Sequence, residues 1–146
     1  MSIKPIPDGY HTITPYFVTK NSREFIEFLK KAFNAESVSM SESPDGKVMH
    51  AEIRIGDSMM MLSEASESYP AVNGLIYLYV NDTDAIYKQA LEAGAESLME
   101  PADQFYGDRN AGVKDTFGNT WWIGTHIENV SEEEIGKRHK EHQKKK

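Results

Sequence analysis

The chain contains no cysteine, which excludes disulfides, thiolate metal ligands and a cysteine nucleophile. It has no run of about 18 apolar residues, the length that a membrane-spanning helix needs. Its first residues also lack the apolar segment of a secretory signal. A formal net charge of -7 disfavours nucleic acid or an anionic membrane as the main partner. These absences predict a cytoplasmic protein that binds neither nucleic acid nor membrane.

The most informative feature that is present is an internal repeat. Three pairs of matching residues define its offset: Asn21 and Asp82 (61 residues apart), Ala35 and Ala95 (60), and Gly56 and Gly118 (62). A repeat held this steadily predicts two copies of one supersecondary unit. Because paired units tend to enclose a pocket, the repeat also predicts a binding site formed by both copies.

The hydrophobic periodicity predicts the order strand, helix and three strands in each copy. We therefore expect an α+β fold with one domain over residues 11–128, made of module one (about 11–66) and module two (about 73–128). A long loop is predicted from Glu100 to Asn110. Ser131 begins a capping-box sequence, so residues 129–146 are expected to form a short, charged C-terminal helix and tail.

The two βαβββ units and the sequence from Asp115 to Trp122 resemble the vicinal oxygen chelate superfamily. This superfamily contains glyoxalases, bleomycin-resistance proteins and extradiol dioxygenases. Four further segments resemble its PhnB-like branch: Met49–Glu52, Ile55–Ser58, Tyr79–Asp82 and Gln104–Arg109. The resemblance implies that the two modules form an open barrel of the glyoxalase/bleomycin-resistance type, and that the protein is a homodimer.

Family enzymes typically hold a divalent metal between the first and last strands of both units. Counted along the repeat, the corresponding residues here are Thr14, Met60, Leu75 and Trp122. These side chains do not supply the oxygen, imidazole or thiolate donors that such metals require. We therefore predict that the inherited metal site is lost and that the protein uses no cofactor. A relocated site that includes His50 and Glu52 is an open alternative.

A ligand pocket is expected on the strand faces turned away from the helices and on the long loop, because the residues there are aromatic and apolar with a few polar groups. The predicted pocket residues are Thr14, Tyr16, Met60, Leu75, Tyr77, Tyr79, Gln104, Tyr106, Arg109 and Trp122. Arg109 is predicted either to bind a ligand carboxylate or phosphate, or to form a salt bridge with Asp108, Asp115 or Glu52. The aromatic residues are alternatively core packing.

Two functions are compatible with this pattern. The first is a metal-free protein that binds a small aromatic or amphipathic molecule. The second is a lyase or isomerase that uses His50 and Glu52. Either His50 is a base oriented by Glu52, or Glu52 is a base whose pKa an aromatic wall raises, or both are relocated metal ligands. The glyoxalase I reaction itself is not expected, because it needs a metal to polarise the enediolate oxygens.

Overall fold

Each half of the chain folds as one βαβββ unit in this computed structural model, which describes residues 2–144. The elements are β1 (Tyr16–Thr19), α1 (Ser22–Phe33), β2 (Glu36–Glu42), β3 (Val48–Ile55), β4 (Ser58–Glu64), β5 (Leu75–Tyr79), α2 (Thr83–Glu92), β6 (Glu96–Asp103), β7 (Asp108–Lys114), β8 (Thr120–His126) and α3 (Glu132–Lys144). This order confirms the predicted α+β fold, the two βαβββ modules and the C-terminal helix.

The two sheets have the same topology. The strand order is β1-β4-β3-β2 in the first and β5-β8-β7-β6 in the second. In both, the first and last strands of the unit pair in parallel, and the other pairs are antiparallel. The residues divide into a first unit, up to Gly74 with Thr116–Asn119, and a second unit, Leu75–Asp115 with the residues from Thr120 onward.

The helix of each unit covers one face of its sheet. In the first unit, the Phe17 ring on β1 lies 5.6 Å from the Phe25 ring on α1, and both side chains are buried. In the second unit, α2 packs against β6, β7 and β8, above the buried Trp121 and Ile123. We call the opposite face of each sheet its open face.

The strand pairs give the repeat an offset of 61 residues for β1 and β4, and of 60 for β2 and β3, where Ser37–Ile53 matches Ser97–Val113. Phe17 pairs with Leu62 in the first unit, and Leu78 pairs with Ile123 in the second, so both members differ by 61. The offset of 62 between the two turn glycines arises because the turn before β8 is longer than the turn before β4. Counting from the glycines therefore misplaces every residue of β4 by one position, which exchanges the two faces of the strand.

The predicted long loop from Glu100 to Asn110 is wrong. Most of it belongs to β6 and β7, which are joined by a tight turn in which the Gly107 N–H donates to the Gln104 carbonyl at 3.1 Å. Pro101 favours a loop, but it lies on β6, an edge strand, between the irregular pairs of Met99 and Ala102. An edge strand with a bulge tolerates the N–H that proline lacks.

None of the helices within residues 2–144 combines the length and apolar character needed to cross a membrane.

Glu64 caps α1 from the end of β4. Asn21, the residue before the helix, has a left-handed backbone and no side-chain cap bond. Instead, the Glu64 carboxylate accepts hydrogen bonds from the backbone N–H groups of Asn21 (2.9 Å) and Ser22 (3.0 Å). A carboxylate at this end also interacts favourably with the helix dipole.

We expect Glu64→Ala to lower the free energy of unfolding by about 1–2 kcal/mol, because two backbone donors lose their acceptor. Glu64→Gln keeps an acceptor and loses the charge, so its effect should be smaller. Urea unfolding measures both. Glu67→Ala, an exposed change three residues further along, is the control and should stay within about 0.5 kcal/mol of the wild type. Equal midpoints for Glu64→Ala and Glu67→Ala would show that Glu64 does not cap the helix.

Candidate functional site

The open face of the second sheet carries Tyr77, Tyr79 and Trp122, a group we call the aromatic face. Tyr77 and Trp122 are directly paired across β5 and β8. The Tyr77 and Tyr79 rings are tilted with their centroids 5.0 Å apart, and the two side chains are 40% and 66% exposed. Large, exposed aromatic side chains on one sheet face form a surface suited to an apolar or aromatic partner.

Two glycines place the larger rings against the backbone. A β-carbon on Gly124 would lie 2.4 Å from the Tyr77 hydroxyl oxygen, and one on Gly112 would lie 2.4 Å from Cζ3 of Trp122. Only glycine leaves room for rings this close to a strand. The glycines therefore allow the Tyr77 and Trp122 rings to lie directly against the backbone of β8 and β7.

Asp108, which begins β7, is the buried acceptor beneath the aromatic face. The hydroxyls of Tyr77 and Tyr79 donate to its Oδ2 at 2.8 and 2.9 Å, and the His126 Nδ1 lies 3.0 Å from its Oδ1. Asp108 is 5% exposed. Burial alone would raise its pKa, but the hydrogen bonds from His126 and the two tyrosines outweigh burial, and the pKa lies below its ordinary value.

His126 lies between two oxygen acceptors. Its Nδ1 faces Asp108, and its Nε2 lies 2.8 Å from Oδ1 of Asn129. With both contacts made to oxygen, the protonated ring satisfies them best, because only an imidazolium donates from both nitrogens. The hydrogen bond to Asp108, followed by that to Asn129, raises the pKa of His126. When His126 is protonated, it and Asp108 form an ion pair at the end of β8.

Asn110 joins this network to the turn between β6 and β7. Its Nδ2 donates to the hydroxyls of Tyr77 (3.2 Å) and Tyr106 (2.7 Å). Asn110 is 3% exposed, and its buried Oδ1 has no hydrogen-bond partner among residues 2–144. A buried amide oxygen without a donor costs free energy, so it calls for an explanation such as a bound water, an ion or a functional role. The side chains of Asp108, His126, Asn110, Tyr77, Tyr79 and Tyr106 are one network, which we call the Asp108 network.

In the first unit, His50 and Glu52 share the open face, as their alternation on β3 predicts. The Tyr16 hydroxyl lies 3.4 Å from the His50 Nδ1. The Glu52 carboxylate accepts hydrogen bonds from Ser39 (2.6 Å) and from the Tyr10 hydroxyl. These two bonds, that from Ser39 first, lower the pKa of Glu52. The expectation that an aromatic wall raises its pKa is therefore wrong.

Tyr10 is one of the two hydrogen-bond donors to the Glu52 carboxylate. Burial, followed by its hydrogen bond to Glu52, raises the pKa of Tyr10 to about 12. The phenol therefore stays protonated and continues to donate to the carboxylate at ordinary pH. Glu52 is held as an anion, which makes it a poor proton acceptor at neutral pH.

A cavity of about 800 Å³ opens on the first unit. Tyr16 and Tyr69 supply aromatic walls, and Val18 and Met49 supply apolar ones. The chain after β4 bounds it, held by the Ala65 N–H donating to the Thr19 carbonyl (2.8 Å) and the Val72 N–H donating to the Val18 carbonyl (3.0 Å). Through Tyr16, the cavity adjoins His50.

Two of the predicted pocket residues, Met60 and Arg109, lie on the helix-covered face of their sheet and not on the open face. Met60 pairs with the buried Ile53 and lies on the face covered by α1, because the offset of 62 misplaced β4 by one residue. Met61 pairs with Tyr16 and takes the place expected for Met60.

Arg109 lies on the face covered by α2, where it forms a salt bridge with Asp84 at 2.7 Å and with Asp103 at 3.0 Å. The salt-bridge partners named from the sequence (Asp108, Asp115 and Glu52) were also wrong. With two carboxylates on its guanidinium, Arg109 is a structural link between α2 and the sheet, which removes it from the candidate site.

The other predicted residues are distributed over both units. Leu75 lies on the same face as Tyr77, since they are two apart on β5, and Tyr106 reaches the network through Asn110. Gln104 closes the turn through its backbone. Thr14 precedes β1 and donates to the His11 carbonyl at 3.4 Å.

The positions where the family's metal ligands are expected do not fit a metal. With the corrected offset they are Thr14, Met61, Leu75 and Trp122, of which only Thr14 carries an oxygen. Within residues 2–144, no three His, Asp or Glu side chains converge in a way that would hold an ion.

Sequence reasoning missed Asp108, His126 and Asn110 as site residues. Two alternation signals were available: Asp108 and Asn110 are two apart on β7, and His126 is four residues after Trp122 on β8. The signal on β7 was hidden because the region up to Asn110 was predicted to be a loop. His126 then had no recognised partner, because Asp108 had not been assigned to a strand. Alternation carries information only after a segment is recognised as a strand.

Together, the two βαβββ units define an α+β protein of paired modules, one of them with an aromatic open face over a buried polar network. The chain belongs to the glyoxalase/bleomycin resistance protein/dioxygenase superfamily, whose family model matches residues 10–123.

An uncharacterized protein of Mycobacterium bovis is 34% identical over 134 residues, covering 84% of this chain and 88% of the relative. Among solved structures, TioX from Micromonospora sp. ML1 is similar with a TM-score of 0.67 and 17% identity, over 83% of this chain and 100% of TioX. Protein PA1353 from Pseudomonas aeruginosa is similar with a TM-score of 0.65 and 22% identity, over 81% and 99%. At these identities the two structures share the fold.

We expect the pKa of His126, measured by NMR of its ring protons, to lie above 6.5 and to fall in Asp108→Asn. The His126 contribution to stability is fully present below 6.5 and is lost as the pH rises through the raised pKa of the folded state. The Asp108 contribution is present above 3.8 and is lost as the pH falls through its lowered pKa.

Asp57→Asn, an exposed change in the other unit, is the control and should leave the His126 titration unchanged. A His126 pKa that is the same in Asp108→Asn and in the wild type would contradict the ion pair.

Proposed function

We propose that this protein binds a small aromatic or amphipathic molecule on the aromatic face of its second unit, without a metal. The observation that carries the proposal is the placement of Tyr77 and Trp122 against Gly124 and Gly112. We also propose that the chain belongs to the PhnB-like branch of its superfamily, which the four motifs quoted above support.

Preorganisation is the main physical argument. A ligand that stacks on a ring already held by the backbone and by hydrogen bonds does not have to immobilise that ring on binding. The Tyr77 ring packs over Gly124, and its hydroxyl is held by hydrogen bonds to Asp108 and Asn110. Stacked aromatic pairs contribute roughly 0.5–1.5 kcal/mol beyond the area they bury.

The Asp108 network supports a ligand with polar as well as aromatic groups. Tyr79 donates its proton to Asp108, so its hydroxyl oxygen keeps acceptor capacity for a ligand, whereas the Tyr77 oxygen already accepts from Asn110. An aromatic surface edged by a few oriented polar groups is the usual composition of a small-molecule site.

The chain provides an internal control for this proposal, because it has two tryptophans on opposite faces of β8. We expect indole and 2-naphthol, as neutral planar probes, to shift the NMR signal of the Trp122 indole N–H at millimolar concentration. The Trp121 indole N–H donates to the buried Asp115 at 2.8 Å and should not shift.

Trp122→Leu should weaken probe binding by roughly threefold to tenfold, the range of one aromatic contact. Tyr87→Phe, on α2, is the matched control and should have no effect. If both indole signals shift together, or neither shifts, the aromatic face is not the binding surface and the proposal is wrong.

The second candidate function is a lyase or isomerase that uses His50. It is favoured by one observation: Tyr16, the hydrogen-bond partner of His50, forms a wall of the 800 Å³ cavity. Glu52 contributes less than expected to this candidate, because its lowered pKa makes it a weak base. The lyase or isomerase function therefore requires either that His50 acts as the general acid or base, or that a metal binds at a relocated site.

A metal titration separates the two functions. We expect that zinc, nickel and manganese each fail to bind stoichiometrically in calorimetry, and that the purified protein contains less than one equivalent of any of them. The reason is that His50 and Glu52 have no converging third donor among the described residues, 2–144. His11→Ala is the control for binding by exposed histidine. One equivalent of metal that is lost in His50→Ala and retained in His11→Ala would overturn the metal-free proposal in favour of the enzyme.

A further inference from the structure

The C-terminal segment lies beyond the family match, which ends at residue 123, and it is attached to the turn between β6 and β7. Arg138 on α3 donates to the Phe105 carbonyl at 3.2 Å. The same guanidinium donates to both carboxylate oxygens of Glu128, at 2.8 and 3.2 Å, and to Glu134 at 3.1 Å. The Arg138 guanidinium therefore links α3, the segment that precedes it and the β6–β7 turn.

The Phe105 side chain is enclosed by the next turn of α3. Its ring centroid lies 5.3 Å from that of His139, edge to face, and 5.5 Å from that of His142. These histidines are three residues apart, so they lie on the same side of the helix. Ring pairs at these distances and angles are favourable, which gives the turn a side-chain anchor in addition to its backbone anchor.

The backbone of the same segment holds the other end of the turn. The Gly107 carbonyl accepts hydrogen bonds from the N–H groups of Ile127 (2.9 Å) and Glu128 (3.1 Å). Gly107 has φ +101°, and a β-carbon there would lie 2.2 Å from the Glu128 carbonyl oxygen. This close approach requires glycine. The turn is thus fixed on both sides of Tyr106.

We infer that the segment from Ile127 to Lys144 is a functional part of the aromatic site, and that Arg138 and Phe105 are positioning residues for Tyr106. Tyr106 lies between the two fixed points, with its ring 5.2 Å from that of Phe105, and its hydroxyl accepts a proton of Asn110. Asn110 in turn donates to Tyr77. The inference rests on the proposed function, because it assigns α3 to the same site.

The consequence for the site follows from the hydrogen bonds of Asn110. Its Nδ2 has two protons, and both are used: one by Tyr106 and one by Tyr77. If the turn is released, the proton facing Tyr106 loses its acceptor and the amide is free to rotate. When the amide turns away, Tyr77 keeps Asp108 as its remaining hydrogen-bond partner, and the edge of the aromatic face is less constrained.

The experiment compares Arg138→Ala and Phe105→Ala with Lys137→Ala in the full-length protein. Lys137 is the neighbouring residue on α3 and forms an exposed contact with Glu133 at 3.8 Å, so it is the matched control. The first readout needs no ligand: it is the shift and hydrogen exchange of the Asn110 side-chain amide. We expect faster exchange in Arg138→Ala and Phe105→Ala, and no change in Lys137→Ala.

The second readout is the affinity for 2-naphthol, which should fall by about threefold to tenfold in Arg138→Ala and stay constant in Lys137→Ala. Arg138→Lys should be intermediate, since lysine keeps the charge but cannot bridge Phe105 and Glu128 as the forked guanidinium does.

An Asn110 amide that is unchanged in both Arg138→Ala and Phe105→Ala would overturn the inference. A wild type that does not bind 2-naphthol at Trp122 would instead overturn the proposed function, and the Asn110 readout would still decide whether α3 positions Tyr106. Tyr106→Phe removes only the acceptor, so it should reproduce the Asn110 change with α3 intact. Failure to do so would also contradict the inference.

Discussion

The burial of the Asp108 carboxylate is the constraint on which the second unit's open face depends. A carboxylate that is 5% exposed must be paired or hydrogen-bonded, because an isolated buried charge costs several kcal/mol. Here Tyr77, Tyr79 and His126 all turn a donor toward it. The orientations of these three side chains are therefore consequences of one buried charge. Their hydrogen bonds to Asp108 also determine which parts of them are exposed on the open face.

The two units show how one topology gives two different open faces. A residue near the end of each last strand caps the helix of its own unit. Glu64 accepts from the Ser22 N–H, and Thr125, 61 residues later, accepts from the Thr83 N–H at 3.1 Å. The capping contact thus lies on the helix side in both units. The open side is free to differ, with a phenol–methionine pair (Tyr16 and Met61) in the first and a phenol–indole pair (Tyr77 and Trp122) in the second.

The same comparison shows what the sequence could predict. The fold followed from the repeat and from hydrophobic periodicity, because both are properties of whole segments that tolerate an error of one residue. The face of a strand does not tolerate that error. The turn glycines Gly56 and Gly118 suggested an offset of 62, but the offset of β4 is 61. Met60 was therefore assigned to the open face although it is buried on the side of α1. The placements of Tyr77 and Trp122 used the local alternation alone and agree with the strand pairing.

The Asp108 network was less predictable from the sequence. Its residues can be assigned to a sheet face only after the segments that carry them are recognised as strands. Pro101 and Gly107 favour a loop between Glu100 and Asn110. In a loop, Asp108 and Arg109 cannot be assigned to one face of a sheet. Once β7 is known, alternate residues separate: Asp108 and Asn110 face the tyrosines, and Arg109 faces Asp84 on α2. The attachment of α3 to the β6–β7 turn then becomes understandable, because a short turn that carries Tyr106 needs support from outside its own hairpin. Gly107 and Arg138 provide that support from the backbone and from a side chain.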